Sequence, residues 1–123
     1  MPVRNVLLVD DNALTLLTLT RILQQHGYSV LSASNASNAL QLVQSRPVDL
    51  VIMDYNLPDS HGQFGREVKR LYPSLPLVVF SGDPAAAEAA EFADLLLPKP
   101  QEPEALLQEI ERLLEGRAER KAA

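Results

Sequence analysis

A chain of 123 residues, 46% apolar and 22% charged, has the length and composition of one soluble domain with a core of ordinary size. Its net charge of −5, from 11 Lys and Arg against 16 Asp and Glu, argues against a nucleic-acid footprint, and no basic run is longer than Arg120-Lys121. Cysteine is absent and the two histidines, His26 and His61, stand far apart, which excludes disulfides, thiolate metal sites and paired-histidine zinc.

No apolar run approaches the ~20 residues of a membrane span. Residues 6–9 are too short for the apolar stretch of a secretion signal and run straight into two aspartates. A cytoplasmic location is therefore expected, with neither membrane nor nucleic acid as partner.

In chain order, short β-rich runs alternate with helical patterns. Residues 6–10 read as a strand that ends in Asp10 and Asp11. A helix follows over 13–26, with Leu16, Leu19, Ile22 and Leu23 in an apolar stripe and Gly27 to stop it. A second strand covers 29–33, and a second helix, 37–45, closes before Pro47. The third strand, 50–54, is aliphatic up to Asp54, as fits a central strand covered on both faces. A helix over 62–71 ends before Pro73, and the fourth strand, 77–81, runs nearly unbroken and apolar to Ser81. The fourth helix, 84–92, has Asp83 as N-cap and proline at its first position. A fifth strand, 95–98, leads into Lys99-Pro100. The last helix opens near Pro103 and carries Leu106, Leu107, Ile110, Leu113 and Leu114. Residues 1–117 form the domain; 118–123 are small and polar and read as a frayed tail or the stub of a linker.

Five such units in this length imply an α/β fold, an open parallel sheet with helices on both faces. The doubly wound order 2-1-3-4-5, flavodoxin-like, places the functional crevice at the carboxyl ends of strands 1 and 3. Asp10, Asp11, Asp54, Ser81 and Lys99 all end strands, so this topology gathers them on one rim. Three carboxylates in one pocket need compensation: a pair ~4 Å apart repels by about 4 kcal/mol at an effective dielectric near 20. An all-oxygen site with room for water suits Mg²⁺. With Lys99 as a mobile positive charge and Ser81 as a hydroxyl donor, the set forms a cradle for a phosphoryl group, and Asp54 is its carboxylate nucleophile. Each residue also has a plain reading. Asp11 serves as a helix cap, Asp54 and Leu57-Pro58 as a turn, Ser81-Gly82 as a strand-to-helix turn, Lys99 as a solvated loop lysine. The joint pattern is what selects the phosphoryl cradle.

The stretches Val6-Leu-Leu-Val-Asp-Asp-Asn12, Pro47 to Asp54 with Tyr55-Asn-Leu-Pro-Asp-Ser-His-Gly62, Leu77-Val-Val-Phe-Ser-Gly82, and Ala93-Asp94 followed by Lys99-Pro100 resemble the response-regulator receiver family. The resemblance covers about residues 4–115, and the order 2-1-3-4-5 is itself that family's, so the topology rests partly on it. It implies a phospho-accepting receiver of a two-component phosphorelay, a signalling switch that catalyses only its own phosphorylation and dephosphorylation. Asp54 would be the phospho-acceptor, Asp11 a direct magnesium ligand, Asp10 a ligand through water, and the Asn56 carbonyl a further ligand. Ser81 would be the switch hydroxyl, Lys99 the ion-pair partner of the phosphoryl oxygens, and the Lys99–Pro100 bond cis. The donor would be a histidine on a kinase or phosphotransfer protein, and the recipient a downstream protein or a fused output domain.

Two features depart from the family. Leu96 stands where receivers carry Tyr or Phe, and the interval from Ser81 to Lys99 is about one helical turn short, which predicts a shortened fourth helix. Both fall on the face by which receivers signal. The alternatives are a docking pseudo-receiver that works without phosphorylation and a phosphatase with an aspartyl-phosphate intermediate. The complete acid set with Ser81 and Lys99 opposes the first. The second wants an aspartate two residues after Asp54, where Asn56 stands.

Overall fold

The computed structural model describes residues 4–99 and 102–122. Strands β1 (Asn5–Val9), β2 (Ser29–Ala33), β3 (Leu50–Met53), β4 (Leu77–Ser81) and β5 (Leu95–Pro98) form one parallel sheet in the order 2-1-3-4-5. Val9 pairs with Ala33 on one side and Met53 on the other, Met53 with Val79, and Ser81 with Pro98. This register brings the carboxyl ends of β1, β3, β4 and β5 level, as the sequence implied.

The helices are α1 (Ala13–Gln25), α2 (Ala36–Ser45), α3 (Gln63–Leu71) and α4 (Pro103–Ala122). The starts of α1 and α2 are set by asparagines, Asn12 accepting from the Thr15 N–H and Asn35 from the Asn38 N–H. Gly62 opens α3 with φ +107°, a left-handed conformation that glycine takes without strain.

Alternate residues of the central strands enter two separate cores. Leu7, Val9, Val51, Met53, Leu77 and Val79 face α2 and α3. Val6, Leu8, Leu50, Ile52, Val78 and Phe80 face α1 and α4, where Leu19, Leu23, Leu106, Leu107, Ile110 and Leu114 meet them. A strand covered on both sides has no polar face to show, which explains the unbroken aliphatic runs. Each fully buried aliphatic side chain contributes about 1.5–3 kcal/mol.

Three details differ from expectation. The fourth helical segment is a 3₁₀ helix, Pro84–Glu91, capped by Asp83 as foreseen but wound more tightly than an α-helix. The connection from β3 to α3 contains a small hairpin, Asn56–Leu57 against Ser60–His61. The backbone of α4 stays helical to Ala122, past the boundary expected at 117 and through the stretch expected to fray. Among the described residues no helix is long and apolar enough to cross a membrane.

Candidate functional site

Asp10 follows β1 and Asp54 follows β3, and two backbone bonds hold them level. The Asp10 N–H donates to Ala33 O at 3.1 Å, and the Asp54 N–H to Val9 O at 2.9 Å. With Asp11 they offer three carboxylate oxygens within 4.8 Å of one another. Lys99 arrives from the end of β5, its N–H bonded to Ser81 O at 3.1 Å. Its Nζ donates to Asp10 Oδ2 at 2.7 Å and to Asp54 Oδ2 at 3.1 Å. The Phe80 ring lies beneath the ammonium at 5.4 Å, within reach of a cation–π attraction.

The second oxygen of each of these two carboxylates accepts a backbone N–H. Asp10 Oδ1 accepts from the Asn12 N–H at 2.9 Å, and Asp54 Oδ1 from the Asn56 N–H at 3.1 Å. Burial alone would lower the pKa of Lys99, but hydrogen bonds to Asp10 and Asp54, reinforced by their charges, outweigh it and the value is raised. The ammonium therefore stays charged. One positive charge still faces three carboxylates, so the rim keeps an excess of negative charge that a second cation would relieve. Octahedral Mg²⁺ wants oxygen donors about 2.9 Å apart when adjacent and about 4.2 Å when opposite. The three carboxylate oxygens, within 4.8 Å of one another, form a group that could hold such an ion.

Ser81, buried at the end of β4, accepts from the Asp83 N–H at 3.2 Å. Asn56 sits beside Asp54 and sends its side-chain amide to Asp83 Oδ2. That bond, followed by the Ala85 N–H and the nearby His61, holds the Asp83 carboxyl below the usual carboxylate range. Thus Asp10, Asp11, Asp54, Asn56, Ser81 and Lys99 converge as the topology required. The Lys99–Pro100 bond lies outside the described residues. Leu96 is half-buried and packs into the core on the α2 and α3 side.

Three participants were not read from the sequence: Phe80, Tyr55 and Glu88. The Tyr55 hydroxyl donates to a Glu88 carboxylate oxygen at 3.2 Å, a contact across 33 positions. Burial first, and then that hydrogen bond, raise the phenol pKa and keep it a donor. No local pattern marks such a pair. For Phe80 the only signal is its place immediately before Ser81.

Comparison with known proteins follows the same line. The family profile described as "Response regulator receiver domain" matches residues 6–111. The transcriptional regulatory protein GlrR of Escherichia coli is 31% identical over 119 residues, 93% of this chain and 27% of that protein. The CAI-1 autoinducer sensor kinase/phosphatase CqsS of Vibrio cholerae is 35% identical over 85 residues, 65% of this chain and 12% of that one. The chain thus spans about a quarter or less of the length of these curated relatives. Among solved structures, the chemotaxis response regulator CheY4 of Vibrio cholerae superposes with a TM-score of 0.83 at 28% identity, covering 91% of this chain and 99% of that one. A CheY-like receiver domain protein from Methanospirillum hungatei gives a TM-score of 0.91 over 97% of this chain and 99% of its own, and at 24% identity it speaks for the fold alone.

Proposed function

The chain belongs to the response regulator receiver family, and on that premise we propose that it is a phospho-accepting switch of a two-component phosphorelay, taking a phosphoryl group on Asp54 in the presence of Mg²⁺. The observation that carries this reading is Lys99 shared between Asp10 and Asp54 beside a third carboxylate. A structural ion pair has no use for two extra acids.

In the proposed reaction an Asp54 carboxylate oxygen attacks the phosphorus of a phosphohistidine on the partner. An O–P bond forms as the N–P bond breaks, and the electron pair returns to the imidazole nitrogen, which takes a proton. Lys99 pairs with the phosphoryl oxygens, and the Ser81 hydroxyl turns to donate to one of them. Asp11 and Asp54 would hold the metal directly, with the Asn56 carbonyl, and Asp10 through water. Bound there, the cation would neutralise charge on the phosphoryl oxygens. Acetyl phosphate with Mg²⁺ should add one phosphoryl group, labile to hydroxylamine, and Asp54→Ala should abolish the addition. Equal labelling of that variant would overturn the assignment.

The partner reading, a histidine kinase or phosphotransfer protein, draws on the named relatives, which include sensor kinases. Leu14 and Leu17 are 71% and 49% exposed on α1, just past Asp11. We place the partner's helix there. Leu17→Glu should slow transfer from the protein donor and leave acetyl phosphate labelling unchanged. An equal loss in both assays would mean misfolding instead.

A further inference from the structure

The hairpin that follows Asp54 is fastened to the helices on either side of it. Leu57 is buried in the core that faces α2 and α3. The buried Ser60 Oγ accepts from the Phe64 N–H at 3.0 Å, and Gln63 Oε1 from the His61 N–H at 2.6 Å, which ties the returning strand to the start of α3. The exposed turn is held from the other side. There Asp59 Oδ1 accepts from the Ala36 N–H at 2.8 Å and Oδ2 from the Ser37 N–H at 3.0 Å.

Those two N–H groups open α2 and have no partner inside it. Asn35 caps the next, that of Asn38, and the Ala39 N–H already bonds to the Asn35 carbonyl. The first turn of α2 holds no acidic residue, so the negative charge that suits a helix start comes from Asp59. A carboxylate that spends both oxygens on neighbouring amides fixes direction as well as distance. Only Ser34 and Asn35 separate α2 from Ala33, whose carbonyl takes the Asp10 N–H. One side chain outside the pocket thus braces the hairpin against the segment that leads back to Asp10.

We propose that Asp59 is a positioning residue for the metal, which sets the place of the Asn56 carbonyl by holding the hairpin against α2. The inference deepens the proposed function and rests on the rim holding Mg²⁺. Asp54 follows directly on a central strand of the sheet, whereas Asn56 belongs to a two-residue strand paired only within the hairpin. Its side chain is held by Asp83, but its carbonyl lies in the backbone and follows the hairpin. A carboxylate can turn to meet an ion; a backbone carbonyl cannot turn without its loop. Mg²⁺ demands near-ideal octahedral geometry, so a loosened hairpin weakens that ion in particular. Coupling is reciprocal, and bound Mg²⁺ must tighten the Asp59 bonds by the same factor.

The test titrates the full chain, ¹⁵N-labelled, with MgCl₂ at fixed ionic strength. Asp59→Ala removes both bonds and should raise the Mg²⁺ dissociation constant about fivefold, the low end for coupled sites. Asp59→Asn loses the same charge but keeps an acceptor for one N–H, and its constant should lie clearly between. Asp49→Ala removes a bond of the same kind, 2.7 Å to the Asn5 N–H at the other end of the sheet, and should leave the constant unchanged. In acetyl phosphate labelling, Asp59→Ala should need more Mg²⁺ for half the maximal rate and reach the wild-type rate at saturation. In the wild type, hydrogen exchange at Ala36 and Ser37 should slow several-fold when Mg²⁺ is added, a measurement that needs no variant to fold. Exchange indifferent to Mg²⁺, an unchanged constant in Asp59→Ala, or equal weakening in Asp59→Asn and Asp59→Ala would overturn the inference and leave the metal site in place. A wild type that does not bind Mg²⁺ at all would remove the metal reading, and this inference with it.

Discussion

Lys69 and Lys99 sit at opposite ends of the same sheet and are buried to similar degrees, their side chains 17% and 24% exposed. Lys69 gives its ammonium to Pro73 O at 3.1 Å, Leu75 O at 3.0 Å and Asp94 Oδ2 at 2.9 Å, three acceptors for three protons. The same Asp94 oxygen takes the Leu77 N–H at 2.8 Å, so the set fastens the loop after α3 to the beginnings of β4 and β5. Lys99 faces more negative charge than it can satisfy. The first arrangement is closed and serves the fold. The second is open, and can change partners without unravelling the sheet.

The largest separation between the two should come from substituting each lysine by methionine. Lys69→Met takes the ammonium away from two carbonyls and from Asp94, and should cost about 2 kcal/mol in urea unfolding, between exposed and buried ion pairs. That loss should be the same with and without Mg²⁺. Lys99→Met leaves the acids uncompensated and should cost about 1–2 kcal/mol without metal, but millimolar Mg²⁺ should narrow the gap by replacing the ammonium. A Lys99→Met deficit indifferent to Mg²⁺ would erase the distinction drawn here.

A smaller effect is expected at Asp11. At ten times its dissociation constant Mg²⁺ should stabilise the wild type by about 1.4 kcal/mol through mass action. Asp11→Asn should remove at least half of that gain. It should also raise metal-free stability by about 0.5 kcal/mol, as repulsion on the rim falls. A wild-type midpoint unmoved by Mg²⁺ would count against the metal site.

The smallest effect lies in acid. Asp59, on the hairpin, accepts from the Ala36 N–H at 2.8 Å and the Ser37 N–H at 3.0 Å, and the first of these bonds chiefly holds its carboxyl below the ordinary range. Its contribution should be complete above its unfolded pKa of about 3.9 and disappear as pH falls below that value toward the folded one. The difference in unfolding midpoint between wild type and Asp59→Ala should stay constant above about pH 5 and close below about pH 4. A difference that persists undiminished at pH 3 would show that Asp59 is not linked to stability in this way.

Much of this was legible in the sequence because strand ends are marked by chemistry. Unbroken aliphatic runs located β1, β3 and β4, and the residues closing them were those the topology would gather. Distant pairings were not legible: Tyr55 with Glu88, Lys69 with Asp94 and Asp59 with α2 join positions 33, 25 and more than 20 apart. Such contacts depend on how layers are stacked, which periodicity does not encode. The winding of the Pro84–Glu91 helix was illegible for a different reason. Its alanines favour an α-helix, and the hydrogen bonds that oppose this come from residues elsewhere in the chain.

The two cores of the central strands bear on how pairing errors are avoided. In a sheet with one wet face, a one-residue slip exposes the apolar set and is rejected on that ground. Here β3 presents Leu50 and Ile52 to one side and Val51 and Met53 to the other, all buried. A β3 displaced by one position would still bury three apolar side chains but would draw Asp49 or Asp54 into the sheet, so the acids that bracket the run, rather than alternation, guard its alignment. What the slip would lose is the bond from the Asp54 N–H to Val9 O and the place of Asp54 beside Asp10 and Lys99. Misaligned chains should therefore be compact but carry a carboxylate inside the sheet, and lack the juxtaposition of Asp54 with Asp10 and Lys99. In a refolding time course, recovery of labelling by acetyl phosphate would lag behind recovery of secondary structure by the time those chains need to realign.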